Sequence, residues 1–203
     1  MLTIALPKGR IAEDTLKMFE KVFKKPFVFD DKKLILEAGG FRFLSVRSQD
    51  VPAYILHQAA DIGVVGLDVL EEQESDLTRL LDLGIGKCRV CIGMPKNREF
   101  DFSMPEIRVA TKMENITRKY FSKKAVAVKV IKLYGSIELA PLVGLADAIV
   151  DLVETGSTME QNGLKIVETI SNSSAHLVCN KNSFISKKEE ILALYTSIKE
   201  IIY

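Results

Sequence analysis

Short runs of β-forming residues alternate along the chain with stretches whose apolar residues recur every three or four positions, the pattern of strands feeding helices. Residues 2–6 predict a strand running into Pro7-Lys8-Gly9-Arg10. A helix follows, with Ile11, Thr15, Phe19, Val22 and Phe23 on one face and Glu13, Lys17, Glu20 and Lys24 on the other. Leu34-Ile35-Leu36 and residues 41–46 flank Gly39-Gly40 and read as strands joined by a tight turn. Ser48-Gln49-Asp50 is expected to cap a helix with Pro52 in its first turn, where the missing N–H costs nothing. Residues 60–66 predict a buried strand with a helix from Leu67-Asp68, and residues 87–94 another strand before a polar stretch at 95–105.

A second pattern of the same kind starts there. A strand at 107–111 leads to a helix around 117–124 and a strand at 126–133. Tyr134-Gly135-Ser136 precedes a short helix limited by Pro141, then a strand at 148–153 and the turn Thr155-Gly156-Ser157-Thr158. That turn opens a helix stopped by Asn162-Gly163, the glycine supplying a left-handed cap. A long strand region at 166–180 and a terminal helix complete the chain. Ser186 and Glu189 have capping-box spacing, and Ile191, Leu194, Tyr195, Ile198 and Ile202 form the helix's apolar stripe. Alternating strands and helices predict an α/β fold in two lobes.

Composition removes several functions. The 203 residues carry 28 Lys+Arg against 27 Asp+Glu, so the basic excess of a nucleic-acid binder is missing. The longest apolar stretch, 139–153, is broken by Pro141, Asp147 and Asp151 and predicts no membrane span. The opening residues have no basic region before their short apolar run, so no signal peptide is expected and the predicted location is cytoplasmic. Three cysteines fit a reducing compartment. Cys88 and Cys91 have metal-motif spacing, but in a strand residues three apart face opposite ways, so one core thiol and one surface thiol are expected. With only His57 and His176, a zinc site lacks ligands. No nucleophile elbow or P-loop occurs, and Gly84-x-Gly86 precedes a strand where a dinucleotide site would need a helix.

Two segments suit anions. In Asp151-Leu152-Val153-Glu154-Thr155-Gly156-Ser157-Thr158 a strand delivers two carboxylates, then a hydroxyl- and glycine-rich turn opens a helix whose N–H groups and dipole favour phosphate. The same turn also reads as the N-cap of an ordinary helix. The carboxylates suit ribose hydroxyls; Asp151 and Glu154 face opposite ways if both are extended, so one of them reaches a ligand. Pro7-Lys8-Gly9-Arg10 lies where ligands bind open α/β sheets, beyond the carboxyl end of a strand. Its Lys and Arg suit polyphosphate, or else form a solvated basic loop.

At these segments the chain resembles the short form of the ATP phosphoribosyltransferase family. The resemblance runs through Ala5-Leu6-Pro7-Lys8-Gly9-Arg10, Arg47-Ser48-Gln49-Asp50-Val51-Pro52-Ala53-Tyr54 and Ala60-Asp61-Ile62-Gly63-Val64-Val65-Gly66-Leu67-Asp68. It is most specific from Leu133-Tyr134-Gly135-Ser136-Ile137-Glu138-Leu139-Ala140-Pro141 through to Thr158. The resemblance implies a two-lobed fold like a type II periplasmic binding protein, with mixed sheets and helices on both faces. Residues 1–90 plus 170–203 would form lobe I and 91–169 lobe II.

It also implies transfer of the phosphoribosyl group of 5-phosphoribosyl 1-diphosphate (PRPP) to N1 of ATP, with Mg²⁺, as the first step of histidine biosynthesis. Carried over, Asp151, Val153, Glu154, Thr155, Gly156, Ser157 and Thr158 bind PRPP. Lys8 and Arg10 act on diphosphate from the interlobe cleft, and Gly9 and Glu138 are further contacts. Relatives often carry Arg-Lys-Leu where this chain has Lys32-Lys33-Leu34, so Lys32 keeps a charge but not a bidentate grip. The chain's end at Tyr203 implies absence of the long form's regulatory domain. The implied assembly is a catalytic dimer within a hetero-oligomer, together with a regulatory subunit resembling histidyl-tRNA synthetase. The alternatives are a two-lobed binding module without catalysis and a phosphoribosyltransferase acting on another base.

Overall fold

The computed structural model describes every residue except Asp31, Phe100, Phe102 and Tyr203. The chain divides into two units: Met1–Leu70, Glu74–Gly86 and Ser174–Tyr203 form the first, Glu71–Gln73 and Lys87–Ser173 the second.

The first stretch of chain forms β1 (Leu2–Pro7), α1 (Arg10–Phe23), β2 (Ile35–Ala38), β3 (Phe41–Val46), α2 (Val51–Leu56), β4 (Ile62–Gly66), α3 (Leu67–Gln73) and β5 (Thr78–Asp82). The second unit holds β6 (Cys88–Pro95), β7 (Ile107–Thr111), α4 (Glu114–Lys123), β8 (Val128–Lys132), α5 (Leu139–Leu142), β9 (Ala148–Val153), α6 (Ser157–Gln161) and β10 (Leu164–Ser173). The chain then re-enters the first unit as β11 (Ala175–Cys179), α7 (Lys181–Ser186) and α8 (Lys188–Ile202).

The six strands of the first sheet run in the order β2-β3-β1-β4-β11-β5. β1 is parallel to β3 and β4, whereas β2 and β11 run antiparallel to their neighbours. Gly39 and Gly40, both at positive φ, close the two-residue turn that pairs Ala38 with Phe41. On one face Ala12, Leu16 and Phe19 of α1 bury themselves with Ile191, Leu194 and Ile198 of α8. Phe19 is the hub: its ring lies edge-on to Phe43 at 5.2 Å and to Phe27 at 5.7 Å. Cutting it to alanine should cost about 3–5 kcal/mol, the loss of a buried aromatic plus the cavity left behind.

The five strands of the second sheet run β10-β6-β9-β7-β8, with β7 parallel to β8 and β9 and with β6 antiparallel to its neighbours. Helices cover both faces. Ile116 and Phe121 of α4 pack on Ile92, Val109 and Val150, while Ala140 of α5 and Met159 of α6 pack on Cys91, Ile149 and Val153. Alternation along β9 therefore sends Val150 to one core and Ile149, Asp151 and Val153 to the opposite face.

Several local expectations change. Ser48–Asp50 forms a 3₁₀ turn closed by the Asp50 N–H donating to Arg47 O (2.9 Å), and Asp50 makes no side-chain cap on α2. Pro141 lies inside α5 instead of limiting it, which is tolerated within the first turn, where the N–H it lacks would find no intrahelical acceptor. The region read as one long strand divides at Ser174 into β10 and β11, which belong to different sheets. Ser186 does not open a helix: it is the last residue of α7, and its hydroxyl donates to Asn182 O (3.0 Å). Asn180 caps α7, its Oδ1 accepting the N–H groups of Asn182 and Ser183. β5 is an additional strand. Cys91 is buried and Cys88 partly covered, as their places on β6 require, and Cys179 is buried on β11.

Candidate functional site

In the first unit the chain leaves β1 at Pro7 and is held there by Lys8 N–H donating to Val46 O (2.9 Å). Gly9 adopts φ 92 and ψ −155, and its carbonyl accepts the N–H of Ala12 (2.9 Å), so α1 starts at Arg10. Lys8, Gly9 and Arg10 are all exposed. A groove of about 560 Å³ opens beside this exit. Lys8, Gly9, Lys17, Lys32 and Lys33 line it with Glu13, Glu20 and Asp30, and Leu16, Phe27 and Leu34 form apolar wall. The structure thus brings Lys8, Gly9 and Lys32 to one groove, while Arg10 begins the helix alongside without lining it.

Charge within the groove is partly committed. Lys33 Nζ lies 2.5 Å from Asp30 Oδ2, which holds the Asp30 carboxyl below its usual range and raises the Lys33 ammonium. Glu20 Oε1 accepts the Phe27 N–H (3.1 Å). Lys32 sits in a left-handed conformation (φ 66).

In the second unit the parallel strands β7 and β8 end together and β9 runs on to Val153, with Thr111 in register with both Lys132 and Val150. Asp151 is the next residue of β9. Its Oδ1 accepts the Leu152 N–H (2.8 Å) and lies 3.2 Å from Lys112 Nζ. Val153 is only 3% exposed, so its side chain is core and its backbone alone can meet a ligand. Glu154 and Thr155 follow in an exposed bend. Gly156 turns the chain at φ 93 and ψ −5, and Ser157 begins α6. The Thr155 and Ser157 hydroxyls lie 3.0 Å apart, and Thr155 Oγ1 also accepts the Ser157 N–H at 3.3 Å. Thr158 is exposed in the first turn of α6, and Glu138, half-buried, occupies the N-cap position of α5.

One expectation is weakened here. α6 has five residues, too short to build the dipole of a full helix, so an anion at this turn depends on the hydroxyls and on the backbone that Gly156 frees. Sequence reasoning passed over Lys112. Its signal was slight, a lone lysine one residue beyond a strand.

A second ion pair fixes the opposite end of these strands. Arg108 at the base of β7 donates from Nη2 to Asp147 Oδ1 (2.7 Å) and from Nε to Oδ2 (3.1 Å), and its own backbone N–H reaches Oδ2 (2.9 Å). The bidentate grip holds the Asp147 carboxyl below its ordinary range and sets β7 against the start of β9. In the first unit, burial and nearby Arg79 hold the His176 imidazole below its ordinary value against the pull of Asp82, and burial pushes the Cys179 thiol up. Among the described residues no three His, Cys, Asp or Glu side chains converge on a metal position, and no helix is long and apolar enough to cross a membrane.

The family model described as HisG: ATP phosphoribosyltransferase matches residues 47–200. A Campylobacter curvus protein named ATP phosphoribosyltransferase is 68% identical over 202 residues, covering 100% of this chain and 98% of the relative. One from Wolinella succinogenes is 67% identical, covering 99% of each. Among solved structures, the ATP phosphoribosyl transferase (HisG:HisZ) complex from Thermotoga maritima aligns with a TM-score of 0.87 at 36% identity, over 100% of this chain and 98% of that one. The periplasmic aliphatic sulphonate binding protein SsuA from Escherichia coli aligns at 0.64 and 11% identity, over 98% of this chain and 71% of that one, a likeness of fold alone.

Proposed function

The chain belongs to the ATP phosphoribosyltransferase family, and from that premise we propose how its residues carry the transfer of 5-phosphoribosyl from PRPP to N1 of ATP, the first step of histidine biosynthesis. Adenine N1 has an available lone pair at neutral pH, so the nucleophile needs little activation. The barrier lies in breaking the C1–diphosphate bond while positive charge grows on the ribose. Fixed charges that stabilise departing diphosphate, with alignment of the two substrates, therefore do most of the catalysis.

Lys8 and Arg10, at the exit of β1, supply that field together with Lys32 of the adjoining groove. Arg10 grips phosphate through paired N–H groups, and the lysines act as point charges. Gly9 lets backbone come close to the anion. In the second unit, Thr155, Ser157 and Thr158 donate hydroxyls to the 5-phosphate of PRPP and Gly156 opens the backbone to it. Asp151 accepts a ribose hydroxyl, with Val153 contributing backbone and Glu154 and Glu138 further polar contacts. Mg²⁺ travels with the phosphates of PRPP and ATP, where it offsets their charge. An ion bound this way would ask the protein for one or two carboxylates at most, which Asp151 and Glu154 would supply without a dedicated cluster.

The observation that carries the PRPP assignment is the convergence of the Thr155 and Ser157 hydroxyls, 3.0 Å apart, around the left-handed Gly156 just past Asp151. The Thermotoga maritima relative is a HisG:HisZ complex. By that likeness we propose a hetero-oligomer with a second kind of subunit; the family resemblance further suggests a catalytic dimer, a regulatory subunit resembling histidyl-tRNA synthetase and a place in the cytoplasm. The test is diphosphate release and product mass from purified protein given PRPP with ATP or other bases, with and without such a subunit. A product one phosphoribosyl group heavier than ATP is expected. Product only with another base, or no diphosphate under any combination, would overturn the reading.

A further inference from the structure

Thr111 of β7 and Val150 of β9 are partners in a parallel pair, so the next residue on each side, Lys112 and Asp151, stands at the same level of the sheet edge. Lys112 has the parity of Ala110 and Asp151 that of Ile149, both in the core beneath α5 and α6, so the two side chains leave on one face. Lys112 Nζ meets Asp151 Oδ1 at 3.2 Å, with the lysine 36% and the aspartate 16% exposed.

The backbone on either side of Lys112 is fixed. Thr111 is fully buried; its hydroxyl donates to Val150 O (2.7 Å) and accepts the Met113 N–H (2.9 Å), tying the lysine's flanks to β9. Oδ1 of Asp151 also accepts the Leu152 N–H (2.8 Å). The hydrogen bond from Leu152 and the ion pair with Lys112 fall on the same oxygen and restrain the carboxylate's rotation, and Oδ2 has no partner among the described residues. A mobile surface ion pair contributes little. This one joins two anchored strands and is partly covered, so little freedom is lost in making it.

We propose that Lys112 is a positioning residue for the sugar-phosphate site. It holds Asp151 in the rotamer that presents Oδ2 to a ribose hydroxyl, and it offsets a carboxylate charge that would otherwise repel the neighbouring phosphate. The inference rests on the assignment of Asp151 to PRPP above. Lys112 thus acts through Asp151, on the phosphoribosyl donor and not on the nucleotide.

The experiment is a double-mutant cycle on the active assembly, read as diphosphate release and as calorimetric PRPP binding. Lys112→Met should raise KM for PRPP about three- to tenfold, with kcat and KM for ATP within about twofold. Lys112→Arg should restore most of the loss. Lys112→Met combined with Asp151→Asn should match Asp151→Asn alone. An unchanged KM in Lys112→Met, or a double variant whose KM is the product of the two single effects, overturns the proposal, the latter because it means direct contact with substrate. Should Lys112→Met fail to fold, Lys112→Gln is read by the same criteria, and loss of fold in both makes Lys112 structural and overturns it. Wild-type protein that binds PRPP but transfers nothing to ATP defeats the assigned reaction, and PRPP affinity alone then decides the role of Lys112. Wild-type protein that binds no PRPP overturns both.

Discussion

Replacing Gly156 by alanine isolates what the backbone of the phosphate turn contributes. Gly156 holds φ 93 and ψ −5, a region that costs an L-residue about 1–2 kcal/mol because Cβ crowds the following carbonyl. Space is not the obstacle: a new Cβ would meet Ile166 Cδ1 at 3.4 Å and Val153 Cγ1 at 3.8 Å, ordinary contact distances. Alanine also restricts the unfolded chain, worth about 0.4–1 kcal/mol in the opposite sense. Strain therefore wins by about 1 kcal/mol. Because the turn relieves the strain by rotating its hydroxyls away, PRPP dissociation measured by calorimetry should rise about fivefold. Gly163→Ala is the control. Gly163 ends the same helix at φ 70 with no atom within 4 Å of a new Cβ, so it meets comparable strain but should leave PRPP affinity unchanged. If both variants bind PRPP as the wild type does and differ from it only in melting temperature, the left-handed turn is scaffolding and the phosphate assignment loses its geometric basis.

Further outcomes follow from the same residues. Arg10→Ala should lower kcat by roughly 10²–10³, about 2.7–4 kcal/mol, with ATP affinity little changed; near-normal turnover with only a higher PRPP requirement would reject Arg10 as a transition-state contact. Lys33 is held by Asp30 at 2.5 Å, so Lys32→Ala should reduce turnover more than Lys33→Ala in the same assay, and equal losses would place the anion elsewhere in the groove. Burial keeps the folded value of His176 below the unfolded one, so the unfolded chain takes up the proton first as pH falls. Stability is complete above about pH 6.5 and declines below it. His176→Gln should flatten that decline in urea midpoints between about pH 7 and 5, and an unchanged slope would assign it to other groups.

Much of this architecture is readable from residue order because its buried strands are short and unbroken. β4 is apolar or glycine throughout, and β9 is interrupted only where Asp151 turns toward the edge. β5 gives no such signal: Thr78-Arg79-Leu80-Leu81-Asp82 lacks clean alternation, and its sheet partner is β11, far downstream. The break at Ser174 had a local signal that was passed over, the run Ser171-Asn172-Ser173-Ser174 of poor strand formers between two β-forming stretches. Ser186 and Glu189 have the spacing of a capping box, but Ser186 falls in the last turn of α7, where its hydroxyl is turned back to Asn182 O. The hydroxyl turn at 155–158 was legible because its chemistry is local. The contact of Lys112 with Asp151 was not, because only strand pairing brings those residues together.

Cys88 and Ser173, the ends of the segment that makes up most of the second unit, are paired neighbours on β6 and β10. The first unit, by contrast, needs β11 between β4 and β5 to complete its sheet. On a ribosome the order of maturation is therefore reversed relative to the order of synthesis. The inserted segment has its whole sheet in hand while the founding one still waits for its last strand, β11. Until the last thirty or so residues emerge, β4 is left with an unpaired edge, the kind of surface that chaperones shield and that makes a truncated product prone to aggregate.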